Sequence, residues 1–173
     1  LSSQVFADCP DVPDDKTELF DNVQSFNDWS LFLNVKESEC WVASTPTLTN
    51  ITPKFGLPKL CRSSNQINFM LSPKTQYSLE FSIISGFALS EEHKPFLRAG
   101  KNRVNLPLIA GQYAWSLGPS LDEKIINLLT THDSFKLVSF SKLGHKVEDT
   151  FSLDGFPLAL ISAKVACGVL FTS

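Results

Sequence analysis

Three histidines, four cysteines and one turn crowded with cations are the residues of this chain best suited to chemistry. Nucleophilic catalysis needs a serine or cysteine beside a base and an orienting acid. His93, His132 and His145 all fall in polar, loop-like or helix-end stretches, and no Gly-x-Ser-x-Gly elbow presents a serine to any of them. His132 is expected to close a helix, where a cationic ring suits the negative end of the dipole. His93 and His145 are expected on the surface. Cys9, Cys40, Cys61 and Cys167 form no Cys-x-x-Cys pair and lie outside metal-ligand spacing of any histidine. Zinc and thioredoxin-like chemistry therefore lack their signature. An even count at wide spacing suggests two disulfides, in any of three connectivities. One of these, Cys40 to Cys167, would join residues 127 apart in the chain, a loop that chain entropy values at about 4 to 5 kcal/mol.

Arg98, Lys101 and Arg103 place three cations within one turn, a tip able to focus potential on a small anion. A solvated hairpin is the plainer reading. Glu91-Glu92 and Asp14-Asp15 lack the alternating oxygen ligands of a calcium loop, so no metal and no cofactor is expected. Trp29, Trp41 and Trp115 are large enough to anchor a partner, but their strand-like settings favour core packing. Asn50-Ile51-Thr52 fits a glycosylation acceptor.

The chain that must position these residues has 173 residues, 43% of them hydrophobic and 14 of them Phe, enough for one sizeable core. Lys and Arg total 15 against 18 Asp and Glu, a net charge of −3 that offers no field for a phosphate backbone. Nucleic acid is not an expected partner. Polar residues interrupt every apolar run well short of the roughly 18 residues that a membrane span needs. Val5-Phe6-Ala7 has the small and β-branched spacing of a signal-peptidase site, and residues 9–21 are acidic, with Pro10 and Pro13. Residues 1–21 are therefore read as a signal remnant and extended lead-in, and 22–173 as one domain.

Strand-like runs cover residues 29–35 and 40–44. Ile67, Phe69 and Leu71, and then Leu79, Phe81 and Ile83, show the two-residue period of half-buried strands, with a turn at Pro73-Lys74. Residues 48–60 hold Pro53, Gly56 and Pro58 without a period and read as a loop. Strand-like runs at 96–97 and 104–109 flank the cationic turn as a hairpin, and 112–117 and 134–141 complete the set. Ser120 and Glu123 make a capping box for a helix with Leu121, Ile125, Leu128 and Leu129 on one face. Asp154 is expected to cap a second helix over about 157–167, stopped by Gly168. Many short strands and two short helices predict a mainly β chain, an antiparallel β-sandwich.

Several blocks carry a family pattern: Phe26-Asn27-Asp28-Trp29, Cys40-Trp41-Val42-Ala43-Ser44-Thr45-Pro46, Ala114-Trp115, residues 122–129, and above all Asp149-Thr150-Phe151-Ser152-Leu153-Asp154-Gly155-Phe156 with Ala159-Leu160 and Cys167. In this order the chain resembles the invasion-associated locus B family. The resemblance implies an exported bacterial protein with an immunoglobulin-like sandwich, linked in some pathogens to host-cell entry, with no enzymatic activity or cofactor. It also implies the Cys40–Cys167 pairing, which leaves Cys9 with Cys61. Members usually carry Arg-Gly-Thr before the Asp-Thr-Phe-Ser-Leu block, where this chain has Leu143-Gly144-His145, and Gly-Tyr where it has Gly86-Phe87. Read physically, Asp149 and Thr150 satisfy backbone groups as a strand begins, Phe151 and Leu153 face the core, and Gly155 permits the turn into the last helix, which makes the block a structural corner.

The functional expectation is a non-enzymatic binding protein of the periplasm or cell surface, secreted or envelope-associated, whose partner is an unidentified protein or envelope component. Two alternatives are a hydrolase whose serine and histidine meet only in the fold, and a periplasmic scaffold that offers a sheet edge to a client strand.

Overall fold

The computed structural model describes residues 22–76 and 78–171. Residues 1–21, with the signal-peptidase reading, the lead-in and Cys9, lie outside them. Among the described residues, twelve strands build two antiparallel sheets. The first contains β1 (Asn22–Phe26), β2 (Trp29–Asn34), β3 (Glu39–Ser44), β5 (Gln66–Leu71), β6 (Glu80–Ile84), β9 (Leu108–Ala110) and β10 (Tyr113–Trp115), in the order β1-β2-β3-β5-β6-β10-β9. The second contains β4 (Leu48–Thr52), β7 (Phe96–Ala99), β8 (Asn102–Asn105), β11 (Ser134–Phe140) and β12 (Lys146–Ser152), in the order β4-β12-β11-β7-β8. The mainly β sandwich read from the sequence is the observed architecture.

The two-residue period does what it should. Ile67, Phe69 and Leu71 on β5 and Phe81 and Ile83 on β6 are buried, and Phe69 pairs with both Val42 and Phe81 across the sheet. Val147, Asp149 and Phe151 alternate inward on β12, with Phe151 stacked on Phe135 of β11 at 5.1 Å. Burying a side chain of this size stabilises by about 1.5 to 3 kcal/mol.

Several local expectations change. Residues 48–60 are not all loop, because Leu48–Thr52 pairs with β12 as β4. All five of its residues are exposed, so the strand sits on the rim of its sheet and has no buried face to print a period. The run 104–109 breaks at Leu106-Pro107, where the chain leaves β8 in one sheet for β9 in the other. Helix α1 (Pro119–Thr130) starts from Gly118, at φ +83°, and no side chain caps it, so Ser120 and Glu123 do not form a capping box. Pro119 occupies the first turn, where its missing N–H costs nothing.

Helix α2 (Phe156–Phe171) is longer than expected and runs through Gly168. It packs against β1, β2, β3 and β5. Phe156, Ala159, Leu160, Ala163 and Cys167 are its buried face. A disulfide joins Cys167 to Cys40 on β3, with the Cα atoms 6.0 Å apart. The helix is not stopped at Gly168 because tertiary packing and a covalent link next to that residue outweigh a glycine's helix cost of about 1 kcal/mol.

Candidate functional site

Asp149 and Arg62 form the polar centre of the second sheet. Asp149 lies mid-strand on β12, fully buried, rather than at a strand start, and Thr150 follows it in the same strand. Arg62 comes from the segment between β4 and β5. Its Nη1 and Nη2 donate to the two carboxylate oxygens at 2.8 and 2.5 Å, and its Nε donates to the Ser85 carbonyl at 2.8 Å. Asn65, with its amide oxygen turned to the guanidinium, accepts at 2.8 Å, and the guanidinium also lies 5.4 Å from the centre of the Phe87 ring. Thr49 Oγ1 completes the cluster by donating to Asp149 Oδ1 at 2.7 Å. This bidentate, fully engaged pair ties β4 and the 53–65 segment to the middle of β12. Sequence reading missed Arg62, which sits 87 residues from its partner in an aperiodic stretch. Its one local signal is an arginine beside a cysteine in an otherwise Pro- and Gly-rich segment.

His145 is buried, with no exposed surface, and is not the surface residue expected. The cause is the same segment. The Lys54 amide donates to His145 Nδ1 at 2.9 Å, so the imidazole serves as an acceptor that fastens the two loops together. With Nδ1 accepting, Nε2 carries the proton, and that atom is buried without a partner. Ser141 Oγ accepts from the His145 backbone N–H and does not approach the ring as a nucleophile. His93 is exposed, with its ring 5.4 Å from Phe140. His132 follows α1, its Nδ1 2.8 Å from the Leu128 carbonyl, which is the helix-end role expected.

The cationic hairpin forms, with Arg98 directly opposite Arg103 on β7 and β8. Arg98 reaches Glu148 at 3.6 Å, Arg103 lies 3.5 Å above the Phe96 ring, and Lys101 is exposed at the turn. Two of the three charges are thus engaged on separate neighbours rather than converging on one point.

The first and last parts of the family pattern, residues 27–29 and 152–156, meet at a corner between sheet and helix. Trp29 is wholly buried, donates from Nε1 to the Ser152 carbonyl at 3.0 Å, and packs on Phe156 at 4.6 Å. The Asp28 amide donates to the Asp154 carbonyl, and the Asp154 carboxylate accepts from Asn27 Nδ2. Gly155 has φ +89°, and a Cβ there would stand 1.8 Å from the Phe26 carbonyl oxygen. Only glycine fits that approach. Leu153 is buried beside this corner. Trp41 stacks on Phe32 and Trp115 on Tyr113, both half-buried on the first sheet. A second buried carboxylate, Asp122 of α1, accepts from the Phe81 amide at 2.9 Å and from Ser116 Oγ, locking α1 to β6. Cys61 is disulfide-bonded, while its expected partner Cys9 lies outside the described residues.

A groove of about 380 Å³ runs beside α2, lined chiefly by Leu31, Leu33, Ile161, Val165 and Ala166. Among the described residues no group of three or more His, Cys, Asp and Glu is placed to hold a metal, and no helix is long and apolar enough to cross a membrane.

No family model matches the chain, and no curated protein matches it. Among solved structures, that of invasion associated protein B from Bartonella henselae superposes with a TM-score of 0.55 at 12% identity, over 84% of this chain and 96% of that one. The two chains share a fold. The first and last of the sequence blocks come together at the corner around Trp29, Gly155 and Phe156.

Proposed function

We propose that this chain is an exported bacterial envelope protein that acts by binding another molecule without transforming it, in the periplasm or at the cell surface, with a role in host-cell entry. The observation that carries the reading is the Cys40–Cys167 link, which fastens the last helix to a central strand. Such links persist in oxidising compartments. The likeness to an invasion-associated protein adds support. So does the use of the buried charges: Asp149, Arg62 and Asp122 all hold elements together. The test is cell fractionation under thiol alkylation. Oxidised protein in the periplasmic or secreted fraction is expected, and reduced protein in the cytosol overturns the reading. Host-cell entry is tested by comparing deletion and complemented strains in an invasion assay, and equal entry removes that role.

A second reading, strand addition to a client, is favoured by β4, the exposed, uncharged rim of its sheet. Ile51→Pro removes one backbone donor there and abolishes client capture if this reading holds.

A further inference from the structure

We propose that two adjoining loop tips, 53–60 and 142–145, dock the molecule onto an anionic lipid bilayer surface. In the first, Lys54 and Lys59 bracket Phe55 and Leu57; in the second, Lys142 precedes Leu143, with Lys146 just beyond. Phe55 is fully exposed, Leu143 is more than half exposed and Leu57 is exposed. The tips touch, because the Lys54 amide bonds His145 and the Lys54 side chain lies against Gly144. Each turn is closed by its own backbone bond, Leu57 N–H to Lys54 O and Gly144 N–H to Ser141 O, and at the base the Arg62–Asp149 pair holds the first loop in place.

Charge gives the patch its direction. The chain is net negative, yet residues 45–65 and 134–147 contain no Asp or Glu. The adjacent acid Glu148 already faces Arg98 and Lys146. Glu91 and Glu92 belong to the loop beside β11, in which Ala88 lies opposite Lys142 and Ser90, next to the two acids, lies opposite Phe140. Apolar side chains that protrude beyond the fold, ringed by flexible lysines, suit a fluid interface that closes around them while the ammonium groups meet lipid phosphates. A shaped protein partner would be met better by a concavity such as the groove beside α2. Attraction to anionic lipid is worth about fivefold in affinity per lysine near the surface.

The test is vesicle co-sedimentation of the full oxidised chain, its acidic N-terminal segment included. Vesicles of phosphatidylcholine with about one third phosphatidylglycerol are expected to bind at least tenfold more protein than phosphatidylcholine alone, and high salt should release it. Phe55→Ser with Leu143→Ser should weaken binding at least tenfold with unchanged melting. Lys59→Gln with Lys142→Gln should weaken it roughly 25-fold, at about fivefold for each lysine. Leu158→Ser with Val165→Ser, on α2, should bind as the parent does. As an independent readout, Phe55→Trp should shift its emission to the blue on anionic vesicles only. Equal binding to both lipids, no binding, an unshifted emission, or tip variants that abolish only self-association would each overturn the proposal.

Discussion

At the scale of single residues, Arg62 and Asp149 are the pair in which one change matters most. Removing either leaves the other charge buried without its counter-charge. Arg62→Met or Asp149→Asn should each lower stability by about 3 to 5 kcal/mol in urea unfolding, and the combined Arg62→Met with Asp149→Leu should cost less than the two together. Gly155→Ala meets a harder limit. Its Cβ would overlap the Phe26 carbonyl at a backbone angle that alanine disfavours, so the cooperative thermal transition should be lost or strongly lowered. Gly155 was legible in the sequence as a turn residue. Arg62 was not, because its meaning depends on a partner 87 residues away. His145 was misread for the same reason: a polar residue in a turn reads as solvated, and only the fold shows the Lys54 amide closing over it.

At the scale of elements, legibility followed burial on one face. β5 and β6 printed their period, while β4, exposed throughout, printed none. For α1 the buried residues Ile125, Leu128 and Leu129 were visible, but its start was not: the Ser-x-x-Glu spacing competes with Gly118-Pro119, and the latter sets the first turn. In α2 an apolar sequence on every side hid both the boundary and the face. The Cys40–Cys167 link compensates for that ambiguity. Cys40→Ala with Cys167→Ala should cost about 2 to 5 kcal/mol, measured by denaturant midpoint, and amide exchange should rise first in the last turns of α2.

At the scale of the whole molecule, apolar surface is divided between the sealed interior and exposed positions that include the loop tips, the outer stripe of α2, and Leu48 and Ile51 of β4. Leu158, Ile161 and Val165 all stay more than half exposed. Replacing Leu158 and Val165 by serine should therefore leave the melting temperature nearly unchanged, within the roughly 0.5 kcal/mol usual for surface positions. A larger loss would mean that this stripe belongs to the folded core. The link between β3 and α2 also bears on biogenesis. Its two sulfurs are 127 residues apart, and Cys61 lies between them in the chain. During vectorial synthesis the Cys40 thiol meets Cys9 first and Cys61 next, long before Cys167 emerges, so an oxidant that joins consecutive cysteines closes the wrong ring. In the exported protein proposed above, correct maturation then calls for a disulfide isomerase, and cells lacking one should accumulate the mispaired form.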